Sequence, residues 1–155
     1  MSCDVAAAAF LMFAAVTGPS GASLQTAVAE TPPPVASQPL FIDIVGRAGK
    51  LKAQVEQYRT GLAGASAVMI PPAAFVADIT QLSAMDQQGS DWLKEHSTDG
   101  DLKCIMHGIS QDLPTKLAAV QAAKTVHDED LALRDMMFLL RDNVDVITAP
   151  PIPKV

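Results

Sequence analysis

Cys104 and His107 stand three residues apart in a stretch with helical periodicity, so their side chains share a face and are spaced to reach one metal ion. Thiolate and imidazole are the ligands zinc prefers, and Met106 lies between them. A catalytic zinc site needs three protein ligands and a closed structural site four. His96 and His127, the other two histidines, could come from neighbouring helix ends, but nothing in the sequence fixes either beside Cys104. Cys104-Ile105-Met106-His107 also lacks the second cysteine of a covalent haem motif. A haem held non-covalently by a Met and a His across a helical bundle is the haem geometry these residues leave open. Against both stands the simpler reading, a packed thiol beside a surface histidine. That reading predicts no metal ligands and no cofactor.

Asp128-Glu129-Asp130 concentrates acid, but it lacks the alternating oxygen ligands and the glycine of a calcium loop. It reads as the first turn of a helix, where acidic side chains complement the dipole and remain solvated. There is no G-x-S-x-G elbow, no phosphate-cradling glycine loop, and no Ser-His-Asp set at a recognisable spacing. No catalytic residue is expected, and the chain does not read as an enzyme. The net charge of −6 and the absence of a basic patch argue against nucleic acid as a partner.

The elements that would position these residues are helices. Phe41, Ile44, Ala48, Leu51, Val55, Tyr58 and Leu62 follow one another at steps of three and four, which lays one apolar stripe along a helix from about residue 40 to 62. Pro71-Pro72 opens a second helix with Phe75, Val76, Ile79, Leu82 and Met85 on its inner face. Gly89-Ser90 is expected to interrupt it, with Ser90 capping a short continuation. After a turn at Ser97-Thr98-Asp99-Gly100, a third stripe runs through Leu102, Met106, Ile109, Leu113, Leu117 and Val120. It passes straight through Pro114, so either one helix kinks there or Asp112 caps a new one; the unbroken stripe favours the kink. Thr125 and Asp128 cap a fourth helix whose stripe is Leu133, Met137, Leu140, Val144 and Ile147, widened by Leu131, Met136 and Phe138. No segment alternates like a strand. The fold expected is all-α, a single bundle of four to five helices with the third kinked at proline.

The ends read differently. Val5–Val16 is an unbroken run of twelve apolar residues, too short to span a bilayer and matched to the core of a signal peptide. Ala27-Val28-Ala29 follows as a small-x-small cleavage site, although no Lys or Arg precedes Val5. The expected layout is a signal peptide over 1–29, a Pro-rich linker over 30–39, the bundle over 40–148 and a Pro-rich tail over 149–155. Cleavage after Ala29 removes Cys3 and leaves Cys104 alone in an oxidising compartment, where it is either a buried thiol or the bridge of a homodimer. No membrane span is expected, and the predicted location is extracellular or the cell wall.

With its helix ending in Val55-Glu56-Gln57-Tyr58-Arg59-Thr60-Gly61-Leu62, the chain resembles the fungal hydrophobic surface-binding protein A family, which includes cell-wall mannoproteins. Ile105, Ile109, Leu113, Leu117 and Val120, leading to Ala123-Lys124, are similar to that family's later run of Ile and Leu. The Cys104–His107 segment and the many methionines depart from its pattern. The resemblance implies a helical bundle that binds fatty acids or coats hydrophobic surfaces, with no catalytic residue. Few aromatics and a Leu- and Met-rich interior suit the same role, because such helices part with modest loss of packing. The residues expected to meet an apolar ligand or a hydrophobic surface are Leu51, Val55, Tyr58, Ile79, Ile109, Leu113, Leu117, Met137, Leu140 and Val144. Each of them also fits plain core.

Overall fold

The stripe read from Phe41 to Leu62 becomes the buried face of the first helix, α1 (Pro39–Leu62), with Tyr58 half-buried beside it. This is a computed structural model that describes residues 35–149. The expected signal peptide over 1–29, most of the expected linker, up to residue 34, and the expected tail from residue 150 lie outside the described residues. Within them are a short 3-10 turn (Val35–Ser37) and four α-helices, α1, α2 (Ala73–Glu95), α3 (Gly100–Ala122) and α4 (Val126–Thr148), with no strand. Val35 packs against the helical core, so the end of the Pro-rich stretch is part of the folded unit.

Each helix starts where local chemistry allows. Pro39 sits in the first turn of α1, where its missing N–H would have had no helical partner. Asp99, in the left-handed region at φ 35°, turns its carboxylate to accept from the Leu102 N–H and caps α3. Thr125 caps α4, accepting from the Asp128 N–H while its own hydroxyl donates to the Asp128 carboxylate. Gly64, at φ 83°, turns the chain away after α1.

α1 neighbours α2 and α4, and α3 neighbours the same two; α1 and α3, like α2 and α4, are diagonal across the axis. Short links at 96–99 and 123–125 make successive helices antiparallel. The core is one cluster of aliphatic and methionine side chains, each fully buried Leu, Ile or Phe contributing about 1.5–3 kcal/mol. Two edge-to-face aromatic pairs, Tyr58–Phe75 and Phe41–Trp92, tie α1 to α2 along their length.

Two sequence expectations are corrected. α2 is not interrupted at Gly89-Ser90 but runs unbroken from Ala73 to Glu95. Gly89 is a packing residue: a Cβ there would lie 2.7 Å from Met106 Cε and 3.3 Å from Ile44 Cδ1. Ser90 does not cap a new helix; it is buried, and its hydroxyl donates to the Lys103 carbonyl of α3. The α4 stripe keeps Leu133, Leu140 and Ile147 but shifts at its edge, and Phe138, expected to widen it, is exposed. Leu133, Met136, Leu140, Asn143 and Ile147 are buried, while Met137 and Val144 are half-buried at its edge.

Pro114 lies inside a single α3 helix, not at the start of a new one. Proline has no N–H to give the carbonyl four residues back, so Ser110 C=O loses its intrahelical partner. The Ser83 hydroxyl of α2 takes its place, donating to Ser110 O at 2.7 Å. The neighbouring helix thus supplies the hydrogen bond that the proline removes.

Candidate functional site

The α1–α2 pair is the least closely packed of the neighbouring pairs. Along it lies a groove of about 530 Å³, lined from α1 by Ile42, Asp43, Gly46, Arg47, Lys50, Leu51 and Gln54 and from α2 by Asp78. The α1 stripe buries Leu51 as part of the core and leaves Ile42, off the stripe, 55 % exposed at the lip. Gly46 faces open space, with nothing within 4 Å of where its Cβ would be. Arg47 reaches across to Asp78 with 3.9 Å between Nη1 and Oδ1, a loose ion pair in a half-exposed setting. The wall thus sets exposed Ile42 and the core residue Leu51 beside two cations, Arg47 and Lys50, and two carboxylates, Asp43 and Asp78.

Of the residues expected to meet an apolar ligand, only Leu51 lines this groove. Val55, Ile79, Ile109, Leu113, Leu117 and Leu140 are buried in the common core, and Tyr58, Met137 and Val144 are half-buried against it. The fold does bring them together, as one continuous interior.

No group of three or more His, Cys, Asp or Glu side chains spaced for a metal occurs among the described residues. His107 is engaged in a polar seam between α2 and α3. Its Nδ1 is 2.8 Å from Gln87 Oε1 and its Nε2 is 3.0 Å from Gln111 Nε2, the pattern of an imidazole with its proton on Nδ1. Cys104 is half-buried and in no disulfide. His96 stacks on Trp92 with ring centroids 3.9 Å apart, at the far end of α2.

The acidic cluster starts α4 as the sequence suggested, with Asp128 exposed and Asp130 partly exposed, but Glu129 is not solvated. Glu129 is fully buried, and its Oε2 accepts from the Met69 N–H at 2.9 Å, pinning the α1–α2 connection. Asp130 takes two hydrogen bonds from Arg59, at 2.8 and 3.3 Å, and that guanidinium holds its carboxyl below the usual range. Asp128 serves the cap. Three adjacent acids point three ways because successive residues on a helix face different directions.

Sequence reading missed a second polar feature, Asp86 and Asn143. Both are wholly buried, one on α2 and the other on the diagonal helix α4. The Asn143 amide donates to Asp86 Oδ2 at 2.8 Å. Burial pushes the Asp86 carboxyl up to about 7 against the lowering effect of that hydrogen bond. The signal was present in the spacing. The α2 stripe Phe75, Ile79, Leu82 places its next inward residue at 86, and the α4 stripe Met136, Leu140 places its next at 143.

Comparison with protein-family models, with curated proteins and with solved structures returned no match to this chain.

Proposed function

We propose that this protein is a secreted helical bundle that binds an apolar ligand of the fatty-acid or lipid class, or adsorbs to a hydrophobic surface, outside the cell or in the cell wall. The observation that carries the reading is the α1–α2 groove, where exposed Ile42 and buried Leu51 form an apolar strip at the loosest seam of the bundle. Parting that seam uncovers Leu51, Val55, Tyr58 and Ile79 first. Behind them lies the wall formed by Ile109, Leu113, Leu117, Met137, Leu140 and Val144. Opening along one seam leaves the α2–α3 and α1–α4 contacts in place. A bend of α3 at Pro114 belongs to the same proposal, on the steric ground that its ring presses on the carbonyl of Ser110. The apolar run at Val5–Val16 and the Ala27-Val28-Ala29 site support secretion. The resemblance in apolar spacing to hydrophobic surface-binding proteins supports the ligand class.

Native mass spectrometry of the protein secreted from a lipid-containing host tests this. The expected species is the chain beginning at Glu30 with a co-purified apolar molecule, and its thermal stability rises on adding a long-chain fatty acid. A protein that emerges at its bare mass and gains no stability overturns the binding reading.

A further inference from the structure

We infer that Asp86 carries a proton inside the folded bundle in mildly acidic solution, closing a reciprocal acid–amide pair with Asn143 that latches α2 to α4 across the bundle axis and weakens as that proton is lost. This stands apart from ligand binding and does not depend on it.

The geometry makes the case. Asp86 and Asn143 are both 0 % exposed, and each occupies a position where the three-and-four spacing of its helix places an apolar residue. One hydrogen bond joins them, from Asn143 Nδ2 to Asp86 Oδ2 at 2.8 Å. The other oxygen on each side chain, Asp86 Oδ1 and Asn143 Oδ1, is buried with no partner. Two buried acceptors without donors are costly. A single proton on Asp86 Oδ1 remedies both, since it turns one acceptor into a donor and gives the other what it lacks.

Nothing nearby holds Asp86 ionised instead. The buried residues of α1 are all apolar, and those of α3 are apolar except Ser110, whose hydroxyl faces Gln87 Oε1 and its own helix. On α4 the other buried acid, Glu129, lies about four helical turns from Asn143 and bonds to Met69. The half-buried ionisable groups of the flanking helices are engaged elsewhere: Arg47 with Asp78, Arg59 with Asp130, Lys116 with Asp135, and His107 with Gln87 and Gln111. None of them, nor Lys52, Lys103 or Cys104, acts on the Asp86 carboxyl, which feels burial and Asn143 alone.

The consequence is a stability that falls as pH rises. The folded state keeps the proton up to about pH 7, whereas the unfolded chain loses it near 3.8. Between those values the folded state binds one proton more, so the folding constant drops about tenfold per pH unit, then levels off. The test is denaturant unfolding of the full chain from pH 4.5 to 8.5, followed by Trp92 fluorescence, for wild type and D86N. The amide of D86N presents a donor where the proton sits, so D86N should lack this decline. The stability ratio of D86N to wild type should then grow by more than a hundredfold across the range. A ratio that does not change with pH overturns the inference. Carbon NMR of the wild type labelled at aspartate carboxyls is independent of whether D86N folds. One carboxyl should titrate near pH 7 while the rest are ionised by about pH 5, and complete ionisation of every aspartate by pH 5 also overturns it.

Discussion

The bond between Ser83 and Ser110 permits a quantitative test of how the bundle tolerates Pro114. Ser110 is buried, and its carbonyl accepts from the Ser83 hydroxyl at 2.7 Å in place of the N–H that residue 114 cannot provide. In the wild-type background S83A strands that carbonyl, a cost of about 1–3 kcal/mol for a buried acceptor left without a partner. In a P114A background the new N–H at position 114 bonds the same carbonyl within α3, so S83A should cost only about 0.5 kcal/mol. The coupling between the two sites is therefore expected to be about 0.5–2.5 kcal/mol, against departures from additivity of at most about 0.5 kcal/mol for independent sites. P114A alone should stabilise, but by less than the roughly 3 kcal/mol of a proline in an uncompensated helix interior, because α2 already compensates. Urea unfolding of the four proteins, read by Trp92 fluorescence and far-ultraviolet circular dichroism, closes the cycle. A coupling indistinguishable from zero would refute the idea that Ser83 stands in for the missing N–H.

Other positions give sharper contrasts than stability alone. E129M keeps the buried volume and removes the orphaned Oε1, so it should change stability by no more than about 1 kcal/mol, whereas E129A leaves a cavity and should cost about 3 kcal/mol. Both lose the bond to Met69, so both should speed elastase cleavage within residues 63–72; wild-type cleavage rates in E129M would count against the tether. G89L forces a large side chain against Met106 and Ile44 and should destabilise by at least about 2 kcal/mol in the same unfolding assay, more than the same change at open Gly108. Arg59 lowers the Asp130 carboxyl below 3.8, so the pair's contribution is present above that pH and is lost as pH falls through the lower folded value. D130N should cost up to about 1 kcal/mol at neutral pH, the pair being partly exposed, and acid titration below pH 4 should show a shallower loss than in wild type.

Much of the architecture was legible in the order of residues. The three-and-four spacing in α1 and α3 named the buried faces residue by residue, because a helix of 3.6 residues per turn leaves an apolar side chain few other places to go. Local signals also placed the α4 cap, since the Thr125 side chain finds the Asp128 N–H within one turn, whereas the Asp99 cap of α3 read only as part of a turn. The α1–α2 groove was less visible: Leu51 was named for the core stripe it belongs to, and nothing in the local pattern singled out Ile42 or Arg47.

Tertiary contacts decided the rest, and always where one residue's partner lay on another helix. Gly89-Ser90 reads as a break until Met106 and the Lys103 carbonyl of α3 occupy the space and accept the bond. Pro114 leaves a helix boundary open as a reading until α3 runs through it and Ser83 supplies the missing donor. Glu129 reads as solvated until the α1–α2 connection folds over it. Asp86 and Asn143 interrupt their stripes as polar residues, and only the diagonal meeting of α2 and α4 explains both. Sequence by itself determined that the chain folds as amphipathic helices and which faces α1 and α3 bury, because periodicity acts over a few residues. The close approaches and the buried polar pairs were decided by the tertiary structure, because each requires a partner 13 to 71 positions away.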